Sequence, residues 1–328
     1  MQELSYMATH LECTPPLMRP SLTIATISAV LLSGVLTFGQ TPPVATFKTG
    51  VDLVRVSAVV RDHKGRFVQD LSMRDFEILE GTRPRRIVDF RRDSGDVSVA
   101  LLFDVSGSME GRLPDAREAA NHILSWLDAG RDEAAVFMFD TQLDEVMPFT
   151  VGLKTLPSSM SRITPFGATS LHDAIAQTAE RTAGREGRRH AVAVLTDGKD
   201  NASHLKPEEV SAIASAIDVP VYIFGVVAAI DNPAEDIATS SATHSGLVGS
   251  LESLASWTGG GVFIVSAPGQ RSVAARQLID ELRHQYLLAF ESSGTPGWHP
   301  LMVRTRNKDQ TVRARSGYFA GQSRPTSF

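Results

Sequence analysis

Leu101–Gly111 reads LLFDVSGSMEG. An apolar strand ends there in a carboxylate and two hydroxyls, Asp104, Ser106 and Ser108, with Gly107 supplying the turn. Polar side chains spaced one residue apart at the tip of a buried strand form a site rather than a core. Working outward, the apolar runs VSVALLF, AAVFMF, HAVAVLT, VPVYIFGV and GVFIV alternate with stretches of helical spacing. Uninterrupted apolar strands separated by helices predict a parallel sheet covered on both faces, an α/β doubly wound fold.

Between Leu113 and Asp128, Ala116, Ala119, Ala120, Ile123, Leu124 and Leu127 recur at helical spacing behind Pro114, which suits a first turn. Further helices are predicted near residues 170–183, 207–217, 249–257 and 270–284. The segment FMFDTQLDEVMPF reads as a hairpin, adding one antiparallel edge strand to the mostly parallel sheet. Residues 228–249, rich in Ala, Ser and Thr, read as a long surface loop. Ahead of the sheet, VDLVRVSAVVRD alternates with period two, and DFEILE and RRIVDF continue a small β unit to about Arg92. QYLLAF, PLMVRT and TVRARSGYF return to strands at the other end. So few strands bury little surface alone. The terminal strands are therefore expected to pair with the N-terminal ones in a small β-rich domain, with the α/β domain inserted between them. The organisation expected is a leader over 1–40, an N-terminal β unit over 41–96, the α/β domain over 97–288 and C-terminal strands over 289–328.

The chain has 328 residues, is 42% hydrophobic and carries a formal net charge of −5. It lacks the concentrated basic face of a nucleic-acid binder. Two arginine clusters, Arg83/Arg85/Arg86/Arg91/Arg92 and Arg185/Arg188/Arg189, read as solvated faces. Residues 21–39 are uncharged behind Arg19 and read as a signal peptide cut near Gly39 or Gln40, with Met18 as the alternative start. An uncleaved membrane anchor is the competing reading. The single cysteine, Cys13, falls in that leader, so a mature chain has no disulfide, thiolate metal site or cysteine nucleophile. The protein is thus expected to be exported, to the periplasm or beyond, touching a membrane only through an uncleaved leader.

Ligands of open α/β sheets bind at the carboxyl ends of the strands. Three loops there carry oxygen donors: DVSGS with Asp104, Ser106 and Ser108; PFGATSLHDAI with Thr169; and LTDGKDN with Asp197. Taken singly, Asp104, Ser106 and Thr169 are ordinary helix caps and Asp197-Gly198 an ordinary turn. Taken jointly they make an all-oxygen set suited to Mg²⁺, Mn²⁺ or Ca²⁺ and unsuited to zinc or copper. His172 and Asp173 read as helix surface, and Asp200-Asn201 as hydrogen-bonding within its own loop. Gly259-Gly260-Gly261 does not make a dinucleotide fingerprint.

The three loops in this order resemble the metal-ion-dependent adhesion site of von Willebrand factor type A domains, over about residues 97–288. The flanking LSMRDFEILEG and VRARSGYFA are similar to bacterial von Willebrand factor A-related proteins with a signal peptide and the same β flanks. The resemblance implies Ser106, Ser108 and Thr169 as direct ligands of the ion, with Asp104 and Asp197 as supporting acids. It also implies binding of a protein partner through a carboxylate, without chemistry of its own. Two rival readings are a scaffold whose ion ties the loops together and, less supported, a metal-dependent hydrolase. The latter lacks the second carboxylate of a D-x-D nucleophile motif.

Overall fold

A computed structural model describes residues 53–92, 95–185, 187–216, 218–227 and 248–320, which fall in one compact unit beginning at Gly50. The leader and most of the 228–249 loop lie outside the described residues. Among those described, no helix is long and apolar enough to cross a membrane.

The strand that decides the fold is β5 (Val97–Asp104), buried along its whole length. It pairs in parallel with β6 (Glu133–Phe139) on one side and β8 (Arg189–Thr196) on the other. Beyond β8 come β9 (Val221–Gly225) and β10 (Val262–Ile264), both parallel; beyond β6 comes β7 (Leu143–Val151), antiparallel. The order β10-β9-β8-β5-β6-β7 is thus a mostly parallel sheet with one antiparallel edge. Alternate residues of β5 serve different cores. Val99, Leu101 and Phe103 pack with α1 (Leu113–Trp126) and α5 (Pro268–Arg283), while Ala100 and Leu102 pack with α2 (Leu171–Ala183), α3 (Pro207–Ala216) and α4 (Val248–Thr258). Burial on both faces explains why these strands read as continuous apolar runs. α4 begins at Val248, inside the stretch read as loop. The glycine run serves close packing: a Cβ on Gly260 would collide with the Val221 carbonyl.

The flanks form the small β-rich domain expected of them, built as two four-stranded sheets that each draw strands from both ends of the chain. One is β13-β1-β11-β4, from β1 (Leu53–Arg61), β4 (Ile87–Arg91), β11 (Gln285–Glu291) and β13 (Thr311–Ala314). The other is β14-β12-β2-β3, from β2 (Phe76–Glu80), β3 (Arg83–Arg85), β12 (Gly297–Thr305) and β14 (Gly317–Ala320). Val54, Val56, Ala58 and Val60 from the first sheet share a core with Ile78, Leu301, Val303 and Tyr318 from the second. TVRARSGYF, read as one strand, splits at Arg315-Ser316 so that its halves enter different sheets. The pairing of N- and C-terminal flanks holds, and β11 follows α5 after one residue. There the fully buried Glu281 of α5 pairs with Arg61 of β1 at 2.9 Å and with Arg313 of β13.

Candidate metal centre

Parallel register sets the site. Phe103 lies opposite Leu195, so Asp104, at the end of β5, stands beside Thr196 and Asp197 at the end of β8. From there the side chains connect directly. The Ser106 amide donates to Asp104 Oδ1 at 3.0 Å, and the Ser106 and Ser108 hydroxyls meet at 3.2 Å. Ser108 Oγ donates to Asp197 Oδ1 at 3.1 Å. Four of the five residues singled out in the sequence therefore form one hydrogen-bonded chain across two strand ends.

Thr169, 2% exposed, joins through the backbone. Its amide donates to Asn201 Oδ1 at 2.8 Å and its carbonyl accepts from the amides of Asn201 and Ala202, tying it to the loop after Asp197. On its other side the Phe166 amide donates to the Val105 carbonyl at 3.0 Å and the Gly107 amide to the Gly167 carbonyl at 3.1 Å. The turn requires glycine at 167, where φ is +86°. The capping alternatives are not taken up: Ser106, preceding the short helical turn Gly107–Met109, makes no side-chain capping bond, and the residue preceding α2 is Ser170 rather than Thr169.

The electrostatics are unbalanced. Asp104 is fully buried and Asp197 is 3% exposed. Burial pushes the Asp104 carboxyl above its ordinary range and the charge of Asp197 adds to the push, against hydrogen bonds from Ser106 and Thr196. The Thr196 bond, Oγ1 to Asp104 Oδ2 at 2.6 Å, is short. Asp197 has cationic neighbours, Arg112 Nη1 at 2.5 Å and Lys199 Nζ at 3.5 Å from Oδ2. Asp104 has none within ion-pair distance among the described residues. An uncompensated buried carboxylate is costly unless a cation reaches it. The donors around it are carboxylate and hydroxyl oxygens, which fit a hard divalent cation. Among the described residues no group of three or more His, Cys, Asp and Glu could hold a metal, so hydroxyls must supply part of any shell.

Sequence reasoning missed the residues that hold this geometry. Thr196, inside the quoted LTDG, escaped because a strand threonine reads as sheet propensity. Arg112 was the first cation after DVSGS, and its spacing of four from Ser108, whose carbonyl it bonds at 3.3 Å, was the available signal. His172 and Asp173 are not free helix surface. His172 Nδ1 pairs with Asp200 Oδ2 at 2.6 Å, and Asp173 accepts from the amides of His204 and Leu205. Asp200 bonds within its own loop as expected, accepting from the Ser203 amide at 3.1 Å and the Ser203 hydroxyl at 2.6 Å, and Asp200 and Asn201 also reach across to the start of α2 and to Thr169.

Residues 98–258 match the model of the von Willebrand factor type A domain. No curated protein matches the chain. Among solved structures, it is similar to an aerotolerance-related membrane protein from Bacteroides fragilis, at 18% identity over 57% of this chain and 98% of that one, with a TM-score of 0.42. A von Willebrand factor type A structure from Catenulispora acidiphila matches 84% of this chain and 75% of its own, at 14% identity and a TM-score of 0.44. Proximal thread matrix protein 1 from the mussel byssus, solved with a zinc-occupied MIDAS motif, matches 62% of this chain and 49% of its own, at 18% identity and a TM-score of 0.43.

Proposed function

We propose, for a chain that carries a von Willebrand factor type A domain over residues 98–258, that this domain is an exported, metal-dependent protein-binding module. Domains of this type are in general metal-dependent protein-interaction modules and typically not enzymes. The finer reading is that Ser106, Ser108 and Thr169 hold a Mg²⁺, with Mn²⁺ or Ca²⁺ as substitutes, and that Asp104 and Asp197 support it. A bound ion of this kind supplies a Lewis-acidic position for a carboxylate of a partner protein. The chain's own residues orient the hydroxyls, keep the strand tips together and place Arg112 and Lys199 beside Asp197.

The observation that carries this reading is the fully buried Asp104, surrounded by hydroxyls and without a cation among the described residues. The scaffold alternative is weaker, because direct hydrogen bonds already join the three loops: Ser108 to Asp197, Gly107 to Gly167 and Thr169 to Asn201. An ion is not needed to tie them. Titration calorimetry tests the site: wild type takes up about one Mg²⁺ per chain, and Asp104→Ala abolishes uptake while the circular dichroism spectrum is kept. Unchanged uptake in Asp104→Ala overturns the assignment. Export is part of the proposal and rests on residues 18–40; N-terminal sequencing of the envelope-associated protein should find a mature start just after Gly39 or Gln40. Recovery only from the cytosol with the leader intact overturns it.

A further inference from the structure

Phe166 lies three residues before Thr169, and at 80% it is the most exposed of the large apolar side chains described. Its position is fixed. Its amide is bonded to the Val105 carbonyl, the next residue's carbonyl accepts from Gly107, and Gly167 holds a positive φ. The phenyl ring therefore cannot fold back by a backbone shift without breaking the contacts that join the Thr169 loop to the Asp104 loop. Charge is distributed unevenly around it. Asp140, which accepts from the Thr141 and Gln142 amides, would lie within 4 Å of a side chain at Gly167. Arg112 and Lys199 gather instead at Asp197, with Lys199 64% exposed.

We propose that Phe166 and the metal centre form one two-point recognition surface, whose occupant is a partner protein segment carrying an acidic residue next to a large apolar side chain. The acidic residue engages the centre on the Arg112 and Lys199 side; the apolar side chain covers Phe166. The rim complements it in both parts: cations where the carboxylate arrives, an apolar ring beside it. This inference rests on the carboxylate-bridge reading and adds the chemistry of the partner. An acidic stretch without an apolar residue leaves Phe166 in water, and an apolar stretch without an acid leaves the centre unused.

The test uses fluorescein-labelled nonapeptides with a central Asp or Glu flanked by glycine, by leucine or by phenylalanine, with fluorescence anisotropy in Mg²⁺ and in EDTA. Wild type should bind the apolar-flanked peptides about tenfold more tightly than the glycine-flanked ones, the scale expected for covering one phenyl ring. Phe166→Ala should remove that preference and leave the glycine-flanked affinity within about twofold. Mg²⁺-dependent binding with no preference, or a preference that survives in Phe166→Ala, overturns the Phe166 inference and leaves the bridge standing. Binding unaffected by EDTA overturns the bridge itself, and a peptide preference lost in Phe166→Ala then still supports Phe166 as an apolar contact. No binding of any peptide in Mg²⁺ overturns both.

Discussion

The two ends of the central sheet bury carboxylates in opposite ways. At the amino ends, Glu133 of β6 is 2% exposed and Asp132 is 1% exposed. Arg185 grips Glu133 with bonds of 2.6 and 2.7 Å, Ser98 donates to it, and Arg188 stands 3.6 Å away. Asp132 accepts from the Val97 and Asp128 amides and pairs with Arg283 of α5 at 2.8 Å. Burial raises the Glu133 carboxyl, but Arg185 and Ser98 more than reverse that and hold it below the ordinary range. At the carboxyl ends Asp104 is equally buried, accepts only from hydroxyl and amide donors, and is pushed up. A buried acid whose charge is matched locks structure together; one left unmatched is a position for a cation from outside.

Exchanging the charge at each end should separate the two roles. Glu133→Gln leaves Arg185 without its anion, while Arg188 keeps Asp96 at 3.7 Å, and should cost about 3 kcal/mol in urea unfolding, with or without Mg²⁺. A loss below about 1 kcal/mol would mean that the amino-end network is not structural. Asp104→Asn should lose the Mg²⁺-dependent rise in melting temperature, which in wild type corresponds to about 2.7 kcal/mol at a hundred times Kd. Its metal-free stability should stay within about 1 kcal/mol of wild type, because a neutral amide suits a buried place without a cation. Thr196→Val removes the donor to Asp104 Oδ2 and should cost about 1 kcal/mol without metal. The smallest effect is in pH. Glu133 has a depressed folded-state pKa, so its contribution is present above the ordinary glutamate range and is lost as pH falls through the depressed value. The gap between wild type and Glu133→Gln should therefore be widest near pH 7 and narrow towards pH 3; a gap that widens on acidification contradicts the assignment.

The comparison also shows what local reading captures. Strands buried on both faces announce themselves as apolar runs, and Asp104, Ser106 and Ser108 stand out because polar residues interrupt such a run at its tip. Arg185 and Arg188 were misread as a solvated cluster. A sequence shows nearby arginines but not that Arg185 and Arg188 share Glu133, 52 residues from Arg185. The same distance hid the clamp on Glu281, whose partner Arg61 is 220 residues away. His172 was misread for a related reason. Its place in the first turn of a helix looks exposed until the Asp200 loop is folded over it.

By itself, the sequence determined the alternation of strand and helix, the edge hairpin and the partnership of the two flanks, because these are written in periodicity, and it singled out five oxygen-bearing residues of which Asp104, Ser106, Ser108 and Asp197 meet in one hydrogen-bonded chain. Only the tertiary structure decided that the flanks form two sheets, that Thr196 and Arg112 hold Asp104 and Asp197, and that Asp104 is left without a matching charge among the described residues. Periodicity follows from the backbone geometry of neighbouring residues. Charge compensation is settled by groups that come within a few ångströms only after the chain has closed over them.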